Sequence, residues 1–137
     1  MIKYCEFEIE EYLSQVKEIL SIEGWNSYLK DDDKLIRAYH NSLLVYGAFE
    51  QNKLLGFIRM VGDGEHFIAV QDLIVRKDYQ KQGIGKHLFK YVWDYYKDCR
   101  MFHVVTDLED EVDNKFYQSF GMKKLVDGHM VSYFRDK

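Results

Sequence analysis

A seven-residue loop with two closely spaced glycines is the part of this chain whose residue types best fit a chemical task. It consists of Gln80, Lys81, Gln82, Gly83, Ile84, Gly85 and Lys86. Glycines let such a loop curl so that several main-chain N–H groups point inward. The helical pattern that begins here adds unpaired donors and the positive end of a helix dipole. Such a concavity binds anions, and a diphosphate is its natural ligand.

Two common phosphate-binding motifs do not match this loop. The P-loop pattern G-x-x-x-x-G-K-[ST] requires glycine where Gln80 stands and a hydroxyl residue where His87 stands. The dinucleotide pattern G-x-G-x-x-G requires glycine or alanine at Leu88. The pattern that remains is Q/R-x-x-G-x-G/A, placed after an apolar, strand-like segment at residues 70–75.

A second motif lies downstream, at residues 114–122, and reads Asn-Lys-Phe-Tyr-Gln-Ser-Phe-Gly-Met. With both motifs, the chain resembles the GNAT superfamily of acyl-CoA-dependent N-acetyltransferases, in which a helix ends in F/L-Y-x-x-x-G-F. Met122 departs from that pattern because it replaces the usual aromatic residue. The resemblance covers nearly the whole chain and is weakest before residue 42.

The resemblance implies that acetyl-CoA is the co-substrate, because in this family the glycine loop, here residues 80–86, wraps the pyrophosphate of coenzyme A. The main chain of Leu73, Ile74 and Val75 would pair with the pantetheine arm as an added strand does, and an N–H of this strand would polarise the thioester carbonyl. Asp110 stands where relatives often carry a cofactor-contacting asparagine, although it equally suits a helix start. Asn114 is a further candidate near the cleft.

The resemblance also assigns Tyr117 the role of general acid, which protonates the departing CoA thiolate. A phenol with its ordinary pKa of about 10 is protonated at neutral pH, as this role requires. Tyrosines on helices usually pack, and the chain contains 11 tyrosines. Tyr117 is nevertheless offset from the helix face that Val112, Phe116 and Phe120 share, and this offset favours a position facing the cleft.

The general base that accepts the proton of the amine is harder to assign. The candidates beside the central strands are Asp63, Glu65, His66 and Asp72. Histidine has the most suitable intrinsic pKa. Asp72 begins the strand segment that would bind the acyl group, so we take it as a provisional base. The proton could also leave through water.

The acceptor pocket is expected to form from the first two helices, the loop with Gly24, Trp25 and Asn26, Tyr28, and the last strands. Trp25 could stack on a cationic or aromatic amine, or it could cover the core. The five histidines and two cysteines show no ligand spacing for a metal. No Ser/His/Asp or Cys/His nucleophile has local support either, so direct transfer in a ternary complex is preferred over an acyl-enzyme.

Composition indicates one soluble domain spanning residues 1–137, with 47% hydrophobic and 31% charged residues. No apolar run reaches the length of a membrane span. The net charge of −4 argues against a nucleic-acid binder. Cys5 and Cys99 form no C-x-x-C pair, and we expect free thiols in a cytoplasmic protein. Basic residues surround the loop, where a CoA phosphate could lie: Arg76, Lys77, Lys81, Lys86 and Lys90.

Periodicity and turn signals predict an α/β (α+β) fold. Strands are expected at residues 2–7, 43–49, 54–61, 66–75 and 101–106, with a final pair at 123–134 about Asp127 and Gly128. Helices are expected at residues 10–22, after an N-cap within residues 31–33, after the loop, and at residues 109–120. The resemblance implies a mixed, mostly antiparallel sheet of six to seven strands with helices on both faces, splayed between the fourth and fifth strands.

These features predict an N-acetyltransferase that acts on a primary amine of a small molecule. Two alternatives stay open at this point. One is an acyl-CoA-binding module without useful catalysis, and the other is an enzyme that acetylates proteins or peptides. The sequence also leaves a homodimer open.

Overall fold

The computed structural model describes residues 1–24 and 26–136, apart from the side chain of Tyr28. The predicted acceptor residue Trp25 and the side chain of Tyr28 therefore lie outside the described part of the chain. The chain divides into two compact units, residues 1–104 (the first unit) and 105–137 (the second unit).

The first unit is built on a five-stranded sheet whose strands follow chain order. The strands are β1 (Lys3–Glu6), β2 (Leu44–Glu50), β3 (Lys53–Gly62), β4 (Phe67–Val75) and β5 (Met101–Val104). Strands β1 to β4 pair antiparallel, and β5 pairs parallel to β4. A parallel pair needs a crossover connection, and the helix after the glycine loop provides it.

One face of the sheet is covered by α1 (Ile9–Ile22) and α2 (Asp32–His40). The side chain of Asp31 caps α2 by accepting a hydrogen bond of 3.1 Å from the main-chain N–H of Lys34. The apolar residues of α1 recur at helical spacing and pack with α2 and with one face of the sheet. This buried cluster includes Val16, Ile19, Leu35, Tyr39, Phe57 and Ile74.

The helix α3 (Ile84–Tyr95) covers the other face. Its buried stripe consists of Ile84, Leu88, Phe89 and Val92. Full burial of each such side chain contributes roughly 1.5–3 kcal/mol. The ring of Tyr91 stacks on that of Tyr46 in β2, with centroids 4.0 Å apart, which fixes α3 across the sheet.

The strand β4 changes its pairing in the middle, after Val70. Arg59 of β3 lies opposite Asp72, but the next residue, Met60, lies opposite Val70, so Gln71 is an extra residue and forms a β-bulge. The parallel ladder with β5 also ends at Val70. Residues 71–75 of β4 therefore have no strand partner on that side among the described residues of the first unit. The end of the ladder agrees with the splay expected between the fourth and fifth strands.

The second unit contains α4 (Glu111–Ser119) and a single 3-10 turn, Leu125–Gly128. The predicted strand pair at residues 123–134 is wrong, and the described residues hold five strands where six to seven were expected. The turns favoured in two-residue hairpins need a positive φ at the first central residue at least, but neither Asp127 nor Gly128 has one, and the positive φ of 59° belongs to His129. The main-chain bond from Met130 N to Leu125 O closes a helical turn instead.

Within residues 1–24 and 26–136, no helix has both the length and the apolar character that a membrane crossing requires.

Candidate functional site

The glycine loop curls tightly between β4 and α3. A short 3-10 turn, Lys77–Tyr79, leads into an extended Gln80, and the chain then takes positive φ values at Lys81 (64°) and Gly83 (85°). A positive φ is uncommon outside glycine, whereas Gly83 adopts it without steric cost. The two positions reverse the chain just before α3 begins, as the sequence pattern predicts.

The first turn of α3 presents main-chain donors. Gly83 is the N-cap, and no side chain caps this helix end. The first hydrogen bond that returns into the helix runs from His87 N to Gly83 O, at 2.9 Å. The N–H groups of Ile84, Gly85 and Lys86 therefore have no acceptor within the helix. They lie at the positive end of the helix dipole, where anions are stabilised.

The space above the two glycines is open. Apart from its chain neighbours and the backbone of α3, a Cβ atom added to Gly83 would meet no described atom within 4 Å, and one added to Gly85 would meet Val75 Cγ2 at 3.8 Å. A ligand can therefore approach the main chain closely at both positions. Open space and convergent donors together fit a diphosphate group.

The side chain of Gln80 anchors this loop to the strand before it. Its Nε2 atom donates a hydrogen bond of 2.9 Å to the main-chain carbonyl oxygen of Val75. The amide is thus used to hold the loop, and the anion-binding groups are the main-chain N–H groups further along. Gln82 makes a similar but longer contact, 3.4 Å from its Nε2 atom to Asp78 O.

The five basic residues expected around the loop fall into two groups. Arg76 donates from Nε to Leu54 O at 2.6 Å and pairs with Glu18 at 2.9 Å, and Lys90 pairs with Asp94 at 2.7 Å. These two side chains are engaged in holding the fold. The other three, Lys77, Lys81 and Lys86, are exposed beside the start of α3.

The residues predicted to bind the acyl arm lie on the open part of β4. Leu73 and Val75 are half-buried, and Ile74 is buried in the cluster under α1 and α2. Their side chains serve the core, so any ligand function belongs to the main chain. An extended ligand can add to the side of β4 that β5 leaves unpaired.

Asp72 does not have the environment of a general base. Only 1% of its surface is exposed, and its Oδ2 atom accepts hydrogen bonds from Arg59 Nε at 2.6 Å and from the Tyr39 hydroxyl at 3.2 Å. A base must exchange a proton with the amine or with water. An enclosed carboxylate held by Arg59 and Tyr39 does neither, and we therefore correct the assignment of Asp72 as a base.

Sequence reasoning missed the partners of Asp72. Arg59 is the only charged residue between Leu54 and Val61, inside an otherwise apolar strand. A lone arginine there must be paired with a carboxylate when it is buried. The lone arginine in an apolar strand therefore predicts a buried ion pair, but the sequence does not identify which acidic residue is its partner.

The remaining base candidates lie at the far end of β4. Asp63 Oδ1 accepts main-chain hydrogen bonds from Glu65 and His66, both at 2.8 Å, and from Phe67 at 3.1 Å. These bonds lower the pKa of Asp63 to about 2, which makes it a poor base. Seven residues of strand separate His66 from Leu73, a distance of about 23 Å. None of these side chains is therefore placed to serve the open part of β4.

In the second unit, Asp110 and Asn114 both support the start of α4. Asp110 is the N-cap, and its Oδ1 atom accepts a hydrogen bond of 2.9 Å from Asp113 N. The side-chain amide of Asn114 donates to Asp107 O at 3.0 Å and to Asp110 O at 2.6 Å. Both side chains thus have a structural role, and their contact with a cofactor stays a prediction.

Tyr117 lies in the last turns of α4. Its ring meets that of Phe116 edge to face, with centroids 5.2 Å apart. Burial raises the pKa of Tyr117 above its usual value, and the carboxylates of Asp113 and Asp110 raise it further. The phenol is therefore protonated at neutral pH.

A cavity of about 540 Å³ lies along the opposite edge of the first unit's sheet, beside β1 and the start of α1. Three strand spacings, about 14 Å, separate β1 from β4, so this cavity is not part of the open strand. Next to it, Glu10 pairs with His40 at 2.5 Å, and this hydrogen bond lowers the pKa of Glu10. With Glu8 they form the one candidate cation group in the described residues, and all three are exposed.

Comparison with known proteins identifies relatives over almost the whole chain. Residues 6–122 match the family model described as acetyltransferase (GNAT) family. A curated N-acetyltransferase of Prochlorococcus marinus, described as uncharacterized and ycf52-like, is 31% identical over 126 residues, which cover 89% of this chain and 68% of that protein.

Two solved structures show the same fold. A GNAT-family acetyltransferase of Streptococcus pneumoniae superposes with a TM-score of 0.78 and 29% identity, covering 100% of this chain and 97% of that one. An aminoglycoside N-acetyltransferase in complex with CoA superposes with a TM-score of 0.73 over 100% of this chain and 95% of that one. The latter is only 16% identical, so it shows the fold alone.

Proposed function

Because this chain belongs to the acetyltransferase (GNAT) family and is therefore an acetyltransferase, we propose that it acetylates a primary amine of a small molecule. The acetyl group comes from acetyl-CoA, and the amine attacks it directly in a ternary complex. The observation that carries the proposal is the loop at Gly83, where a positive φ of 85° precedes an uncapped helix start. That arrangement suits the diphosphate of the co-substrate.

The first unit supplies the groups that bind acetyl-CoA in this proposal. The N–H groups at Ile84, Gly85 and Lys86 hold the diphosphate, and exposed Lys81 and Lys86 add positive charge. The main chain of Leu73, Ile74 and Val75 holds the extended arm. An N–H of this segment donates to the thioester carbonyl oxygen and stabilises the negative charge that develops there.

The chemical step is an acyl transfer from sulfur to nitrogen. The unprotonated amine forms a bond to the acetyl carbon, and the C–S bond then breaks. The amine nitrogen gives up one proton to water, and Tyr117 gives one proton to the departing sulfur. The phenolate of Tyr117 then takes a proton back from water, so the protein is unchanged at the end of the cycle. The pKa of Tyr117 is raised above its usual value by burial, so the phenol is protonated at neutral pH, as a proton donor must be.

A small-molecule acceptor is supported by one of the structural neighbours, which is named an aminoglycoside N-acetyltransferase. The chain is acidic, with a net charge of −4. Such a charge favours the approach of a cationic amine. The two chains share a fold, and this does not carry the neighbour's substrate over to this protein. An acceptor panel is needed to identify the amine.

The test is thiol release from acetyl-CoA across a panel of acceptors, together with calorimetry of CoA binding. The panel contains small aliphatic amines, arylalkylamines, an aminoglycoside and a peptide with a free N-terminus. We expect CoA binding, and thiol release with one of the small amines. Release with the peptide alone would replace the small-molecule acceptor by a protein. CoA binding without release for any acceptor would favour a binding module, and no CoA binding would overturn the proposal.

Two further proposals concern the protein's surroundings. Cys5 and Cys99 are both free thiols in the structure, which agrees with a reducing compartment such as the cytoplasm. A homodimer stays a prediction, to be checked by light scattering of the purified protein.

A further inference from the structure

The bulge at Gln71 changes which residues of β4 face each side of the sheet. Phe57 belongs to the cluster under α1 and α2. Because side chains alternate along a strand, Ile58 and Met60 of β3 face the opposite side, toward α3. Residues directly opposite each other share a face. Val70, opposite Met60, therefore faces α3, whereas Asp72, opposite Arg59, faces α1 and α2. Without the extra residue, Asp72 would face the same side as Val70.

A buried polar network lies on the bulge itself. Arg59 and Asp72 are 5% and 1% exposed and are joined by a 2.6 Å ion pair. Tyr39 donates its hydroxyl proton to Asp72 Oδ2 at 3.2 Å, and Arg59 Nη1 donates to Ser42 Oγ at 3.1 Å. The guanidinium carbon of Arg59 also lies 4.7 Å from the centroid of the Tyr39 ring. The network therefore connects α2, and Ser42 two residues past its end, to the two strands at the bulge.

The Arg59–Asp72 ion pair is not expected to add much to the free energy of unfolding. Burying two charges costs about as much as their attraction returns, and apolar replacements of such pairs are often neutral or stabilising. The other oxygen, Asp72 Oδ1, is buried and accepts no hydrogen bond from the residues that the structure describes, which is a further cost. The best-attested benefit of a buried ion pair is that it fixes register. Here a shift of one residue would place the Asp72 carboxylate among the apolar side chains under α3.

We propose that the Arg59–Asp72 pair is a positioning device for the acyl group: it holds the bulge at Gln71 and so fixes the direction of the main chain at Leu73, Ile74 and Val75. This inference rests on the proposed function, because it assigns the thioester to that segment. Leu73 follows Asp72 directly, and the bulge coincides with the last β4–β5 pair, Val70 and Val104. A one-residue change of register would exchange the N–H and C=O groups that β4 presents on its open side.

The test uses a double variant, Arg59→Met with Asp72→Leu, which removes both charges together. We expect its melting temperature to stay near that of the wild type, because the core stays apolar. Its dissociation constant for CoA should rise only about two- to threefold, because the glycine loop is untouched and only the contacts of the extended arm are disturbed. We expect kcat to fall at least about tenfold. The pH profile of kcat/KM should keep its shape, since Asp72 is not the base. Unchanged kcat in a folded double variant would overturn the inference.

A milder variant, Tyr39→Phe, keeps the test valid if the double variant fails to fold. It removes one hydrogen bond to Asp72 and leaves both charges and the aromatic ring in place. Its matched control is Tyr46→Phe, a similarly buried tyrosine (9% exposed against 4%) in β2. We expect Tyr39→Phe to lower kcat about two- to fivefold with KM for acetyl-CoA unchanged, and Tyr46→Phe to leave both near wild type. Equal kcat values for the two variants would contradict the inference.

These experiments separate the inference from the function on which it rests. If the wild type neither binds CoA nor releases thiol, the proposed function fails and the inference fails with it. If the wild type is active and the folded double variant is equally active, only the inference fails.

Discussion

The side-chain amide of Gln80 donates a 2.9 Å hydrogen bond to the main-chain carbonyl oxygen of Val75. This contact joins the first residue of the glycine loop to the last residue of β4. It fixes the distance between the two parts of the proposed co-substrate site, the donors at the start of α3 and the open strand. The glycine loop and the end of β4 are therefore held in a fixed position relative to each other.

Replacing Gln80 by alanine should loosen that connection. A lost hydrogen bond of this kind costs about 0.5–1.5 kcal/mol, so we expect the dissociation constant for CoA to rise about two- to tenfold. Calorimetry measures it. The comparison is Gln82→Ala, whose side-chain contact is 3.4 Å long and contributes less. Equal effects for the two variants would show that the Val75 contact has no special part in binding.

Gly83→Ala should weaken CoA binding by straining the loop. Alanine at a φ of 85° costs about 1–2 kcal/mol, and its methyl group would enter the space open to the ligand. Gly64→Ala is the control, because Gly64 has a φ of 79° and lies at the other end of β4. We expect similar losses of melting temperature for both variants. Only Gly83→Ala should raise the KM for acetyl-CoA, and an equal KM in both would contradict the placement of the diphosphate.

Lys81→Gln and Lys86→Gln should each raise the dissociation constant for CoA. Removal of one exposed charge near a helix start costs about 0.3–1 kcal/mol, which corresponds to about a two- to fivefold change. The effect should shrink as salt increases, because screening weakens surface charges. Lys90→Gln is the control, since Lys90 pairs with Asp94. A salt-independent effect, or one as large at Lys90, would argue against phosphate contacts from these lysines.

Tyr117→Phe should slow turnover with little change in CoA affinity. General acid catalysis contributes about 10²–10⁴-fold, and we expect kcat to fall at least about tenfold. Thiol release under saturating substrates measures it, and calorimetry checks the affinity. The control is Tyr95→Phe, at an exposed tyrosine of α3 (66% exposed). Turnover at the wild-type rate would remove Tyr117 from the mechanism.

Asp63→Ala should lower the melting temperature at pH 7 and have little effect near pH 2. The pKa of Asp63 lies at about 2 in the folded protein, below its ordinary 3.8. Its stabilising contribution is therefore complete above about pH 4 and disappears as the pH falls toward 2. Thermal unfolding of both proteins between these pH values measures it. Asp94→Ala, which breaks an exposed i,i+4 pair, should change little. A pH-independent difference at Asp63 would contradict the ionic origin of the contribution.

Most of the fold could be predicted because its elements carry strong local patterns. The helices begin at identifiable caps such as Asp31, and the apolar residues of α3 recur at helical spacing. The predicted strand pair at residues 123–134 was wrong for a local reason as well. Asp127 and Gly128 are compatible with a hairpin and with a helical turn, and the sequence does not decide between them.

The site was only partly predictable, for a related reason. The glycine loop is a main-chain device, so its residue types and its place after β4 are enough to find it. A general base is defined by its surroundings, and Asp72 looks like any other aspartate until its partners Arg59 and Tyr39 are known. The bulge at Gln71 is equally hidden, because it depends on which residue of β3 lies opposite.

The central strands β2, β3 and β4 follow one another directly, joined by turns of two and four residues. Short chain closures carry a small entropic cost, so this meander can assemble from contacts between near neighbours. The outer strands β1 and β5 are each separated by one or two helices from the strand with which they pair, so their pairing closes a longer stretch of chain. The strand proposed to receive the thioester is therefore among the first parts of the sheet able to form, and mutations there should slow refolding more than mutations at either edge.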